Sequence, residues 1–122
     1  MTDFREAFAQ GLVASRDAAR ARADIRDMID RLAAQVHEAS NGRLCIHRGE
    51  VPGRETQVST SPTAAEPRVE IFRYEIAEAG YPITLRYFRT EERCRDLPAF
   101  EEALKRMLAS PTVGGVFARF LA

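Results

Sequence analysis

The stretch Asn41-Gly42-Arg43-Leu44-Cys45-Ile46-His47-Arg48 marks where the chain stops repeating like a helix and begins to alternate like a strand. Asn and Gly tolerate the left-handed backbone conformation that ends helices, so Asn41-Gly42 reads as a helix stop. Beyond it, Leu44 and Ile46 alternate with Arg43, Cys45 and His47, the period of two expected of a strand with one buried face. The fold class follows from what lies on either side of this switch.

Upstream, Phe4, Phe8, Gly11, Ser15, Ala18, Arg22, Ile25, Ile29, Leu32, Val36 and Ala39 recur at alternating spacings of four and three, the seam of a long helix. Its second half is apolar, whereas Gly11, Ser15 and Arg22 are poor seam residues. Two outcomes are open. Unbroken, forty helical residues would reach about 60 Å, more than a compact domain of this size spans, so the outer half would protrude and bury itself against another chain. Broken near Gly11 to Ser15, where Ser15 could cap a new helix, both pieces would fold back on the same subunit. Exposure of Phe4 and Phe8 decides between them, and Phe4, Phe8 and Leu12 are the expected oligomer interface.

Downstream, GEVPG at 49–53 is a turn before ETQVSTS, and SPTAAEP at 61–67 is a loop. RVEIFRYEI at 68–76 and YPITLRYF at 81–88 form a second hairpin joined through AEAG. Asp96 caps a helix with Pro98 in its first turn, and Ser110-Pro111 starts another. The expectation is an α+β domain spanning 1–122: a helical arm over 1–41, then a four-stranded, mostly antiparallel sheet and two C-terminal helices over 43–122.

Sorted by parity, Leu44, Ile46, Val69, Ile71, Ile83, Leu85 and Tyr87 form an apolar sheet face that helices must cover. The opposite face collects Arg43, Cys45, His47, Arg68, Glu70, Phe72, Tyr74, Thr84, Arg86 and Phe88. Arginine mixed with aromatics suits a protein interface, and Arg43, His47, Phe72, Tyr74, Arg86 and Phe88 are the expected partner-binding residues. It also suits single-stranded nucleic acid, with Phe72, Tyr74 and Phe88 stacking on bases and Arg43, Arg68 and Arg86 on phosphates. A third reading is a solvated sheet whose arginine stems shield half-exposed rings. The sorting has one flaw, because Arg73 and Glu75 fall on the apolar side. Either the strand leaves the core after Ile71, or a bulge turns Phe72, Tyr74 and Ile76 inward and the platform largely disappears.

Composition bounds the function. Of 122 residues, 45% are hydrophobic and 30% charged, and no apolar run is long enough to cross a bilayer. Basic and acidic residues balance at 18 each, so no long-range field draws in nucleic acid or an anionic membrane. Asp3, Glu6 and Asp17 in the first twenty residues argue against a targeting signal, and a cytoplasmic location is the expectation. Lys105 is the only lysine among many arginines and alanines, a bias of GC-rich genomes that points to a bacterial or phage origin.

Cys45 and His47 share a strand face, but no orienting third residue or oxyanion turn accompanies them. His37, Cys45, His47 and Cys94 could ligate zinc only if three elements gathered them, and they lack the usual close ligand pairs. SPTVGG at 110–115 lacks the strand-loop-helix context and the lysine of a phosphate loop. No residue pattern calls for a cofactor or metal. The expected function is therefore a small non-catalytic protein-interaction module, self-associating through its N-terminal helix and presenting the mixed sheet face to a protein partner. The alternative is a single-stranded nucleic-acid-binding module using that same face.

Overall fold

The computed structural model describes residues 3–50, 55–63 and 66–121. Much of the expected GEVPG turn and residues 64–65 of the SPTAAEP loop lie outside them. The element order is α1 (Arg5–Ala39), β1 (Cys45–Glu50), β2 (Glu55–Ser61), β3 (Val69–Ile76), β4 (Ile83–Tyr87), β5 (Thr90–Cys94), α2 (Leu97–Ala109) and α3 (Pro111–Leu121). The strands form one antiparallel meander in chain order, β1-β2-β3-β4-β5.

The sheet therefore has five strands where the sequence suggested four. The fifth, Thr90-Glu91-Glu92-Arg93-Cys94, hides because its inward positions are Thr90, Glu92 and Cys94, only the last of them buried. Glu92 turns toward the helices, accepting hydrogen bonds from the Tyr87 hydroxyl at 3.2 Å and from Arg106 of α2 at 2.6 and 3.0 Å. An inward charge on an edge strand also discourages pairing with another sheet edge. The turn is equally silent in sequence. Tyr87 pairs with Thr90, leaving only Phe88 and Arg89 in the loop, and Phe88 has φ 52° at a position where such turns favour glycine.

Helix α1 runs unbroken through Gly11 for 35 residues, about 52 Å. It ends where expected: Asn41 and Gly42 have φ 55° and 76°. The Ser40 hydroxyl donates to the His37 carbonyl and accepts from the Leu44 amide, both at 3.0 Å, so the helix end is tied directly to the approach to β1. At the other end of the chain, Asp96 Oδ1 accepts from the Ala99 amide at 2.9 Å. Ser110 Oγ accepts from the Val113 amide at 3.3 Å, with Pro111 opening α3.

The core joins Ile25, Ile29 and Leu32 of α1, Phe100 and Met107 of α2, and Val113 and Val116 of α3 to the inward side chains of the sheet. Those include Val58, Phe72, Tyr74, Ile83 and Leu85, with the Tyr74 and Phe100 rings 5.9 Å apart. Between β2 and β3 the register slips: Val58 pairs with Phe72 but Ser59 pairs with Glu70, so Ile71 is the extra residue of a bulge. Beyond it the parity of β3 inverts, placing Phe72, Tyr74 and Ile76 inward and Arg73 and Glu75 outward. The bulge resolves the flaw in the parity sorting and removes the aromatics from the outer face.

Candidate functional site

The outer sheet face is a ladder of opposite charges. Arg86 Nη1 lies 2.7 Å from Glu55 and 3.7 Å from Glu75, and its Nε lies 3.1 Å from Glu91. Arg73 pairs with Glu70 and, at 4.0 Å, with Glu55. The hydrogen bond that Arg86 donates to the Glu55 carboxylate is the largest influence raising its guanidinium above its already high ordinary value. Four carboxylates surround two arginines here, so the guanidinium groups already have local counter-charges and offer little to a phosphate backbone.

The expected partner-binding residues are consequently dispersed. Phe72 and Tyr74 are 1% and 3% exposed in the core, which corrects their assignment to an outer platform. Phe88 is 56% exposed, but in the β4–β5 turn rather than on a strand face. Arg43 donates to the Leu121 carbonyl at 2.8 Å and so tethers the end of α3. His47 is half-buried, with Nε2 2.7 Å from Ser61 Oγ; burial, then the Arg68 charge, lowers its pKa.

Cys45 shares the outer face with His47, whose ring is engaged by Ser61. Cys94 is buried beneath α2, and burial first, then the Glu92 carboxylate, pushes its thiol up, against the pull of Arg106. A buried thiol with a raised pKa is a poor nucleophile. His37 Nδ1 lies 2.9 Å from the Leu44 carbonyl oxygen, another tie between α1 and the approach to β1. Among the described residues, no group of three or more His, Cys, Asp or Glu side chains gathers to hold a metal.

Two other surfaces stand out. The first is the arm. Every residue from 3 to 17 is exposed, and burial starts at Ala18. Phe4, Phe8 and Leu12 are 71%, 70% and 53% exposed, a stripe at i, i+4, i+8 that none of the described residues covers.

The second is a cleft of about 630 Å³ at the base of that arm, between α1 and the helix-facing side of the sheet. Arg22 and Arg26, one turn apart on α1, meet Arg48 of β1 and the side chains of Thr56 and Tyr74. Arg22 Nη2 donates to the Glu78 carbonyl at 3.2 Å, and Arg48 Nη1 lies 3.3 Å from Asp30. Burial raises the pKa of the Tyr74 hydroxyl. Hydrogen bonding with Thr56, the charge and hydrogen bonding of Arg48, and then the charge of Arg26 work the other way.

Reading the sequence missed this cleft, because its arginines come from two elements joined only by the fold. One signal was present: Arg22 is the last poor residue of the seam before its apolar half begins at Ile25.

The chain matches no family model, and comparison with the curated proteins and with the solved structures found no match. No described helix is long and apolar enough to cross a membrane.

Proposed function

We propose that the protein is a small interaction module that associates with a second copy of itself through the arm of α1. The observation that carries this reading is the unbroken helix whose first turns expose Phe4, Phe8 and Leu12. An isolated helical segment of this length is marginal in water, and such a stripe is the usual mark of an interface.

A second copy suits the seam because its large residues, Phe4 and Phe8, are followed by the small Gly11 and Ser15. Set antiparallel, two arms would layer Phe8 of one copy over Gly11 of the other and Phe4 over Ser15. Nothing lies within 4 Å of a Cβ added at Gly11, so that socket is open. The zero net charge of the chain adds no long-range repulsion between copies.

Burying the three side chains on each copy contributes on the order of 10 kcal/mol before losses, at about 1.5–3 kcal/mol apiece. Lost freedom on association offsets at least about 4 kcal/mol of that, leaving at most about 6 kcal/mol, so an affinity of tens of micromolar or weaker is expected. Replacing both Phe4 and Phe8 with Asp is expected to convert the assembly to single chains in light scattering; an unchanged mass would refute association through this seam. Gly11→Leu separates a specific socket from general stickiness, since it adds apolar surface and helix propensity yet is expected to weaken association.

The expected presentation of an aromatic sheet face to a partner has lost its two central rings to the core. The nucleic-acid alternative has lost the same rings, and its Arg86 is occupied by carboxylates.

A further inference from the structure

We infer that the cleft between α1 and the sheet is a binding site for the phosphate group of a small phosphorylated molecule. Arg22 and Arg26 project from one face of α1, and Arg48 comes from β1 opposite. Guanidinium groups recognise oxyanions through paired N–H donors, so three of them from two directions suit a group with several equivalent acceptor oxygens. Thr56 and the deeply buried Tyr74 line the same space, each with a side-chain hydroxyl.

The arginines differ in how far they are already satisfied. Arg48 is paired with Asp30, while among the described residues neither Arg22 nor Arg26 forms an ion pair. Arg22 is held by a carbonyl, which orients it without neutralising it. Glu50 and Glu78 also line the cleft and Asp30 pairs with Arg48, so three guanidinium groups meet three carboxylates and the local charge is close to balanced, with Arg22 and Arg26 the cations that no carboxylate holds among the described residues. That balance favours one phosphate group over a polyanion, and a volume of about 630 Å³ falls within the range of small-molecule sites.

The placement gives the odd seam residue a reason. Arg22 lies next to Ala21, where the arm gives way to the buried half of α1, and is itself exposed at the edge of the cleft. An arginine there turns the junction of helix and sheet toward an anion.

Titration calorimetry of the full chain with pyrophosphate, at constant ionic strength set by chloride, tests the assignment. Saturable binding of one pyrophosphate per chain is expected, weakened at least about tenfold in Arg26→Gln, the loss of one charge-assisted hydrogen bond. Arg26 is exposed, so the variant is expected to keep the wild-type melting temperature, which separates a lost contact from a lost fold. Tyr74→Phe is expected to weaken binding several-fold without abolishing it. No binding above the chloride background would overturn the proposal, as would Arg26→Gln binding like the wild type. Citrate binding more tightly than pyrophosphate would overturn the assignment to phosphate in favour of a carboxylate.

Discussion

The two halves of α1 are one continuous helix with opposite circumstances. Residues 18–39 carry Ile25, Ile29 and Leu32, at most 8% exposed and packed into the core, whereas residues 5–17 are exposed throughout. Backbone geometry does not separate them; what covers them does. The division falls where the β3–β4 loop touches the helix. An ideal Cβ on Gly80 would stand 2.6 Å from the Ala21 Cβ, and Arg22 donates to the carbonyl of Glu78 in the same loop. A helix gains most of its stability from packing one face, so the inner half is held by its own chain, whereas the outer half has no such packing among the described residues.

The sharpest way to break this comparison is to truncate one side chain in each half. Ile29→Ala is expected to lower unfolding free energy by about 2–5 kcal/mol, through lost transfer energy and a core cavity. Phe8→Ala, measured by denaturant titration at concentrations too low for association, is expected to change it by less than about 0.5 kcal/mol. Equal losses would mean that the arm packs on its own chain.

A smaller effect is expected at the junction. Gly80 has φ 103°, a conformation side chains rarely adopt, and its Cβ direction is occupied by Ala21. Gly80→Ala should therefore destabilise by more than about 1 kcal/mol, and thermal unfolding will show whether helix and loop tolerate separation. A neutral result would place the boundary between the halves elsewhere.

The smallest effect concerns β1, the strand α1 packs against. The pKa of His47 is lowered in the folded chain, so between its folded and unfolded values the unfolded chain binds more protons and stability rises with pH. The contribution is fully present above about pH 6.5, the ordinary histidine value, and is lost as pH falls through the folded value. Comparing unfolding midpoints of wild type and His47→Asn across this range should show a shallower slope for the variant.

Most element ends were legible because local chemistry dictates them: Asn41-Gly42 stops α1, Asp96 caps α2, and Ser110-Pro111 starts α3. The arm's exposed stripe was legible as well, since Phe4, Phe8 and Leu12 recur at helical spacing. What escaped depends on tertiary structure. The extra residue at Ile71 leaves no compositional trace yet inverts every later side chain of β3, moving Phe72 and Tyr74 from the outer face to the core. Strand β5 escaped because Glu92 occupies an inward position and Phe88-Arg89 forms a turn without turn residues. The arginine cleft escaped because Arg22 and Arg26 lie far from Arg48 in sequence, and only the packing of α1 on the sheet joins them.

The central claim, that the outer half of α1 is completed by a second copy, is tested most directly by amide hydrogen exchange over residues 5–17 as a function of protein concentration. Without a partner these amides belong to a one-sided helix extension and should exchange quickly at every position beyond the last packed turn. Their protection is expected to rise from the low to the high micromolar range while that of residues 25–36 stays constant, with no rise in Phe4→Asp, Phe8→Asp protein. Protection of the arm that is independent of concentration, or absent throughout, would contradict the account.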